Sequence, residues 1–174
     1  MDIHPILVHF PIAILSIYAI LEVLRLKRLQ KMQGWFYAKS YTAIVGTFAS
    51  YAAYAAGPEG GRNVDATFRH IRELHSNWAT ATLIIFSVIT LHYIIVLFGR
   101  HAGIQAWFAK SEGTKKLWSF LAHISSVIGN PALLVILAVL GLCAITITGA
   151  LGGSLVYGAD VDPVVQFIYR FITP

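Results

Sequence analysis

Seven histidines occur in a strongly apolar chain of 174 residues, and their positions predict where chemistry would take place. His9 and His75 each lie about one turn inside a long apolar segment, so both side chains are expected to be partly shielded from water. Imidazole is a good ligand for iron and other transition metals. An ionisable side chain within a membrane helix is by default a candidate functional residue. The pair therefore predicts a haem iron held between two histidines.

Two further pairs of histidines extend this hypothesis. His4 precedes His9, and His70 precedes His75, by five residues each, which is about 140° around a helix. All four side chains therefore cannot easily face one haem, although together they could bind a metal ion directly. A second haem site would use His92 and His123. His92 lies seventeen residues after His75, about 25 Å further along a helix.

The residues around His75 are also suited to a haem at a membrane surface. Arg72, Asn77 and Trp78 flank this histidine. Haem propionates are anionic, and arginine pairs well with carboxylates. A solvated loop with helical ion pairs explains the same residues equally simply, so both interpretations stay open at this point.

These histidines must be positioned by four apolar segments, about 5–24, 36–56, 74–98 and 131–151. Hydrophobic residues make up 57% of the chain and charged residues 12%, whereas soluble domains carry about 25% charged residues. Each segment is close to the roughly 20 residues that span a bilayer, and only helices suit such segments in lipid. The predicted fold is an all-α integral membrane four-helix bundle forming a single domain.

The segment 117–128 is too short to span, and Gly129-Asn130-Pro131 separates it from the last apolar segment. It is predicted to be an interfacial helix. The first and third spanning helices run in the same direction, which puts His9 and His75 at one membrane depth. No nucleophile–base pair, phosphate-binding loop or cysteine pair is present, and Glu22 is interpreted as a boundary ion pair with Arg25.

The distribution of basic residues predicts the orientation. Loops 25–39 and 99–116 carry five and four of the thirteen Lys and Arg residues. The excess of positive charge marks the cytoplasmic side. Both termini are then non-cytoplasmic, and the membrane is expected to be an inner (cytoplasmic) membrane. Because the charges lie in loops between apolar helices, nucleic acid is excluded as a partner.

Three stretches of the chain resemble the DUF2231 family of bacterial membrane proteins of unknown function. The first, HPILVHFPIA from His4 to Ala13, resembles the family's opening HPxxVHFPIA motif. His75-Ser76-Asn77 is similar to the family's second histidine site. The third, GALGGSLVY from Gly149 to Tyr157, is similar to the closing GxxGGxLVY motif.

The resemblance covers nearly the whole chain and implies a four-helix membrane domain. The family's histidines correspond to His4, His9 and His75, whereas His92 and His123 have no counterpart. The chain departs from the family pattern after Tyr157, where many members continue with a His-Gly segment. Members often accompany cytochrome-like or other redox proteins, which favours haem by association.

Gly149 and Gly153 of the closing motif stand one turn apart, on the same side of the membrane as His9 and His75. Glycines there could let backbone approach a bound haem, or they could end a helix. Both are retained as candidate cofactor-binding residues.

Three functions are consistent with these features. The first is a cytochrome b-like electron-transfer subunit, rather than a stand-alone enzyme. It would bind one haem b, with a second left open, and exchange electrons at the outer face with a redox partner protein or a quinol. The second is a histidine-based metal-ion-binding or transport protein. The third is a non-catalytic structural subunit of a membrane redox complex. An oligomer or a larger complex is compatible with each.

Overall fold

The computed structural model describes residues 4–57 and 66–173, and this part of the chain forms helices without any strand. In chain order the helices are α1 (His4–Val23), α2 (Lys27–Gln30), α3 (Gln33–Ala55), α4 (Ala66–Arg100), α5 (Ala102–Phe108), α6 (Glu112–Ile128), α7 (Pro131–Tyr157) and α8 (Pro163–Ile172). The all-helical class predicted from the sequence is confirmed for these residues.

Four of the longer helices, α1, α3, α4 and α7, share one core. α1 packs against α3 and α7, and α4 packs against the same two helices, so α1 and α4 face each other diagonally. Tyr18 of α1 bridges this diagonal, with its ring edge-on to Phe86 at 6.2 Å and to Tyr93 at 5.9 Å between centroids. Edge-to-face contacts of this kind stabilise buried aromatic rings. The aromatic centre separates one end of the helices, near His75, from the other, near Glu22.

Two of the long helices extend beyond the apolar segments. α4 begins at Ala66 rather than near residue 74, and its 35 residues correspond to a length of about 52 Å. α7 continues to Tyr157 rather than ending near residue 151. The length of an apolar segment reflects the part of a helix that contacts lipid. The helix itself continues as long as its backbone hydrogen bonds do. Glycine inside a helix costs only about 1 kcal/mol, and α7 ends at Gly158, whose φ is 93°.

The helices α6, α7 and α8 begin at side-chain caps. Ser111 caps α6 through its Oγ, which accepts from the Thr114 N–H at 3.2 Å. The chain breaks at Gly129-Asn130 as the sequence indicates, and the Asn130 side chain accepts from the first backbone N–H groups of α7. α8 was not predicted because it is too short to form a spanning segment, although Asp162-Pro163 is a recognisable start signal with Asp as N-cap and Pro in the first turn.

Two helices among the described residues, Thr67–Arg100 and Pro131–Tyr157, are long and apolar enough to cross a membrane. The apolar stretch Leu7–Val23 of α1 is shorter, and α3 carries Lys39 and several tyrosines and small polar residues along its length. In the described structure, the two long apolar helices α4 and α7 therefore pack with α1, whose apolar stretch is shorter, and with α3, which is less apolar.

Candidate functional site

His75 lies on α4 and is held against α7 by a hydrogen bond. Its Nδ1 is 2.9 Å from the carbonyl oxygen of Thr148. Because a carbonyl can only accept, Nδ1 must carry the proton, and Nε2 is then the basic nitrogen of a neutral ring. Histidines that ligate metals commonly donate their other N–H to a carbonyl in this way, which fixes the tautomer and the ring orientation.

Gly152 of α7 makes room for this imidazole. A Cβ atom at Gly152 would lie 3.0 Å from Cε1 of His75. Gly149 and Gly153, the two glycines predicted to be cofactor-binding residues, contact other side chains. Those two glycines face Ile12 of α1 and Val165 of α8, each with an ordinary contact distance. Their small size is thus explained by helix packing, and the glycine that approaches the histidine is the one between them.

His9 lies on α1, diagonally across from α4, and its side chain is exposed. The buried face of α1 contains Pro11, Leu15, Tyr18 and Glu22, and His9 is about 200° from Pro11 on the helix. Other protein side chains therefore do not cover His9 in the described structure, and its predicted shielding from water stays a prediction. Its depth does match, because Ile12, one turn further along α1, packs at Gly149. The ligand role of His9 stays a prediction.

The remaining residues around His75 lie at the surface of α4. Arg72 and Trp78 are half-buried, whereas His70 and Asn77 are exposed. His4 belongs to α1, but its side chain lies outside the described residues.

Glu22 forms a second polar site at the opposite end, which the sequence analysis missed. Its side chain is 2% exposed and contacts Lys39 Nζ of α3 at 2.9 Å. The hydroxyls of Tyr93 and Tyr18 donate to the same carboxylate oxygen at 2.8 and 3.3 Å. The predicted boundary pair with Arg25 is wrong, since Arg25 donates to the Pro131 carbonyl at 2.7 Å. Lys39 lies on another helix, so sequence spacing could not identify it.

His92 is held against α6 in the same manner as His75 against α7. Its Nδ1 is 2.9 Å from the Ser125 carbonyl oxygen and 3.0 Å from Ser125 Oγ. His123 is exposed and lies about 200° around α6 from Ser125. The two histidines predicted to share a second haem therefore project from different faces of the α4–α6 pair, and the described structure does not bring them together.

A comparison with protein families identifies the chain. The model of a family described as "Predicted membrane protein (DUF2231)" matches residues 1–163. The chain belongs to the DUF2231 family. Neither the curated proteins nor the solved structures compared with it include a match. In this DUF2231 protein the family match spans α1 to α7 and ends where α8 begins.

Membership of a membrane-protein family explains the apolar surface of this DUF2231 protein. Large hydrophobic side chains are more than half exposed on all four core helices, among them Phe10, Phe48, Ile84 and Leu140. Such a surface would be unusual on a soluble monomer. In a membrane protein these side chains contact lipid.

No group of three or more His, Cys, Asp or Glu side chains in the described ranges is arranged to hold a metal ion. The histidines His9, His70 and His75 therefore do not form a multidentate ion site among the residues described. A haem differs from a bare ion in this respect, because the porphyrin supplies four of the iron's ligands and the protein only one or two.

Proposed function

We propose that this DUF2231 protein is a membrane electron-transfer protein in which His75, together with His9, would hold haem b. The observation that carries the proposal is the hydrogen bond from His75 Nδ1 to the Thr148 carbonyl. This bond leaves Nε2 as the basic nitrogen, which is the form of imidazole that ligates iron. A haem b bound there would supply one-electron exchange.

The side chains near His75 are suited to bind haem, which has an apolar ring and anionic propionates. Arg72 and Trp78 are half-buried on the same helix, and arginine is suited to pair with propionates. Asn77 adds a polar side chain at this level. His75 has the stronger structural support of the two ligands, since His9 contributes an exposed imidazole at matching depth.

The proposal includes a membrane arrangement. α1, α3, α4 and α7 would all cross the bacterial inner membrane, because they share one core and their exposed faces are apolar. The segments 25–39 and 99–116, which include α2, α5 and the first turns of α3 and α6, carry most of the basic residues and would be cytoplasmic. The His75 end would then face outward, where a redox partner protein or a quinol would exchange electrons with the haem.

The haem assignment is tested by the visible spectrum of the detergent-purified protein expressed with ample haem. We expect a Soret band that shifts on dithionite reduction, with sharp α and β bands. His75→Ala should abolish the band, and His9→Ala should convert a low-spin to a high-spin spectrum. His70→Ala is the matched control, because it removes an exposed histidine of the same helix and should change nothing.

A flat visible spectrum in the wild-type protein would overturn the proposal. Metal analysis of the same sample would then separate an ion-binding protein from a structural subunit. Equal haem content in His75→Ala and wild type would overturn the ligand assignment alone.

The apolar face of α8 gives a separate prediction about membrane placement. Val164, Phe167 and Phe171 are 59%, 70% and 78% exposed, while Val165 packs toward α7. Because α8 begins six residues after α7 ends, this face lies at the membrane boundary, where amphipathic helices bury their apolar sides. With Cys143→Ala as background, a fluorophore on Phe171→Cys should be quenched several-fold more by brominated lipids than one on Arg170→Cys. Equal quenching would contradict this placement.

A further inference from the structure

A cleft opens between α4 and α6 at the Glu22 end of the molecule. It has a volume of about 340 Å³, and His92, Gly99, Trp118, Ala122 and Ser125 are among its lining residues. This volume is at the lower end of the range for small-molecule sites, about 300–1,000 Å³. The cleft is far from His75, since His92 lies seventeen residues further along α4, about 25 Å.

His92 supplies the chemistry of this cleft. Its Nδ1 donates to the Ser125 carbonyl, so Nε2 of the neutral ring carries a lone pair and accepts hydrogen bonds. Nε2 has no hydrogen-bond partner among the described residues. Among the described residues, the side-chain nitrogen and oxygen atoms that are both fully buried and unpartnered are Trp35 Nε1 and Gln105 Nε2. His92 Nε2 is unpartnered but is not one of them, so it keeps accessible surface. Because His92 is a lining residue of the cleft, its unpartnered Nε2 is the acceptor by which a ligand carrying a donor would be recognised.

The rest of the lining suits a flat ring. Trp118 packs against Gly99, where a Cβ would lie 3.4 Å from the indole. The His92 ring packs directly on Gly129, where a Cβ would clash with Cε1 of the imidazole. Ile95, Val96 and Ala122 add apolar surface. No Lys, Arg, Asp or Glu lines the cleft, so a charged ligand would lose its hydration without gaining a partner.

These features select a ligand class. An acyl chain would fill the apolar part but leave the His92 acceptor without a donor. A phenolic hydroxyl satisfies the acceptor, and its ring can lie against the Trp118 indole and the apolar side chains of the lining. The cleft lies about 12 Å from the end of α4, counting eight residues from His92 to Arg100, so such a ligand would enter from the lipid phase.

We propose that the α4–α6 cleft is a binding site for a membrane-soluble aromatic compound with a free hydroxyl, of the quinol or phenol class, which donates its hydroxyl proton in a hydrogen bond to His92 Nε2. The proposal concerns binding and does not require haem. Its test on protein purified without added haem is therefore separate from the test of the electron-transfer proposal.

The test is a titration of the detergent-solubilised protein with a decyl-substituted benzoquinol, followed by tryptophan fluorescence. We expect saturable quenching, most of which disappears in Trp118→Phe. The same compound with both hydroxyls methylated keeps its ring and chain but cannot donate a hydrogen bond. It should bind at least tenfold more weakly.

Two variants act on the cleft in different ways. His92→Leu removes the acceptor together with the bond to Ser125, and should weaken quinol binding at least tenfold while affecting the methylated compound little. Ala122→Phe fills the cleft and leaves the hydrogen bonds of His92 intact, so it should abolish binding of both compounds even if His92→Leu folds poorly. His123→Leu and Leu117→Phe are the matched controls, since both change exposed α6 side chains outside the cleft.

Unchanged quinol binding in Ala122→Phe would overturn the site. Equal affinity for the quinol and its dimethyl ether would overturn recognition by His92. Absence of saturable quenching in the wild-type protein would overturn the proposal as a whole, whatever the haem measurement gives.

Discussion

Replacing Lys39 with Met is expected to lower the free energy of unfolding by about 3–5 kcal/mol, the range for removing one partner of a buried ion pair. Lys39 Nζ is 2.9 Å from a carboxylate oxygen of Glu22, and the two side chains are 17% and 2% exposed. Without the ammonium group, the carboxylate would retain the hydroxyls of Tyr18 and Tyr93. Two neutral donors do not compensate a buried negative charge.

This stability change is measured by unfolding in mixed micelles with increasing denaturing detergent. Lys115→Met is the matched control, because it removes an ion pair with Glu112 at 2.7 Å whose side chains are 52% and 79% exposed. Exposed pairs contribute about 0–1 kcal/mol. The double variant Glu22→Gln with Lys39→Met should recover most of the loss, since no unpaired charge remains. Similar losses for Lys39→Met and Lys115→Met would show that the Glu22 site is not a buried charge pair.

Replacing Gly141 with Ala is expected to destabilise the protein by about 1–3 kcal/mol, as overpacking of a core does. The added Cβ would lie 2.8 Å from Cζ of Phe86 and 3.3 Å from Ile85 Cγ2. The Phe86 ring is completely buried and packs edge-on against Tyr18, so it cannot move aside without disturbing the aromatic centre. Helix propensity alone predicts the opposite sign, a gain of up to about 1 kcal/mol.

Gly34→Ala is the control for the loss of stability that is expected of Gly141→Ala. Gly34 is near the start of α3, and nothing lies within 4 Å of a Cβ placed there. We expect its unfolding free energy to be unchanged or slightly higher than that of wild type. The two variants are compared by thermal unfolding in the same detergent. An increase in stability for Gly141→Ala would mean that α7 is not packed against Phe86 as described.

Local features of the helices could be predicted from the sequence. Long apolar segments and Gly129-Asn130-Pro131 predicted helices and a break, because backbone hydrogen bonding in an apolar medium and the conformational limits of proline act within a few residues. The opening and closing motifs predicted membership of the DUF2231 family, which the family comparison confirms. The ends of α4 and the existence of α8 were less accessible, since polar and short helices lack a long apolar segment.

The partners of the polar side chains were decided only by the tertiary structure. Sequence spacing paired Glu22 with Arg25, but packing of α1 against α3 brings Lys39 to the carboxylate instead. Matching depth paired His9 with His75, whereas the turn of α1 that buries Pro11 leaves His9 exposed. Thr148 and Ser125 orient His75 and His92 through backbone carbonyls, which every residue possesses. The long apolar helices and the family could be predicted from the sequence alone. Which side chains meet depends on the rotation of each helix about its axis, which is set by the packing of the whole core.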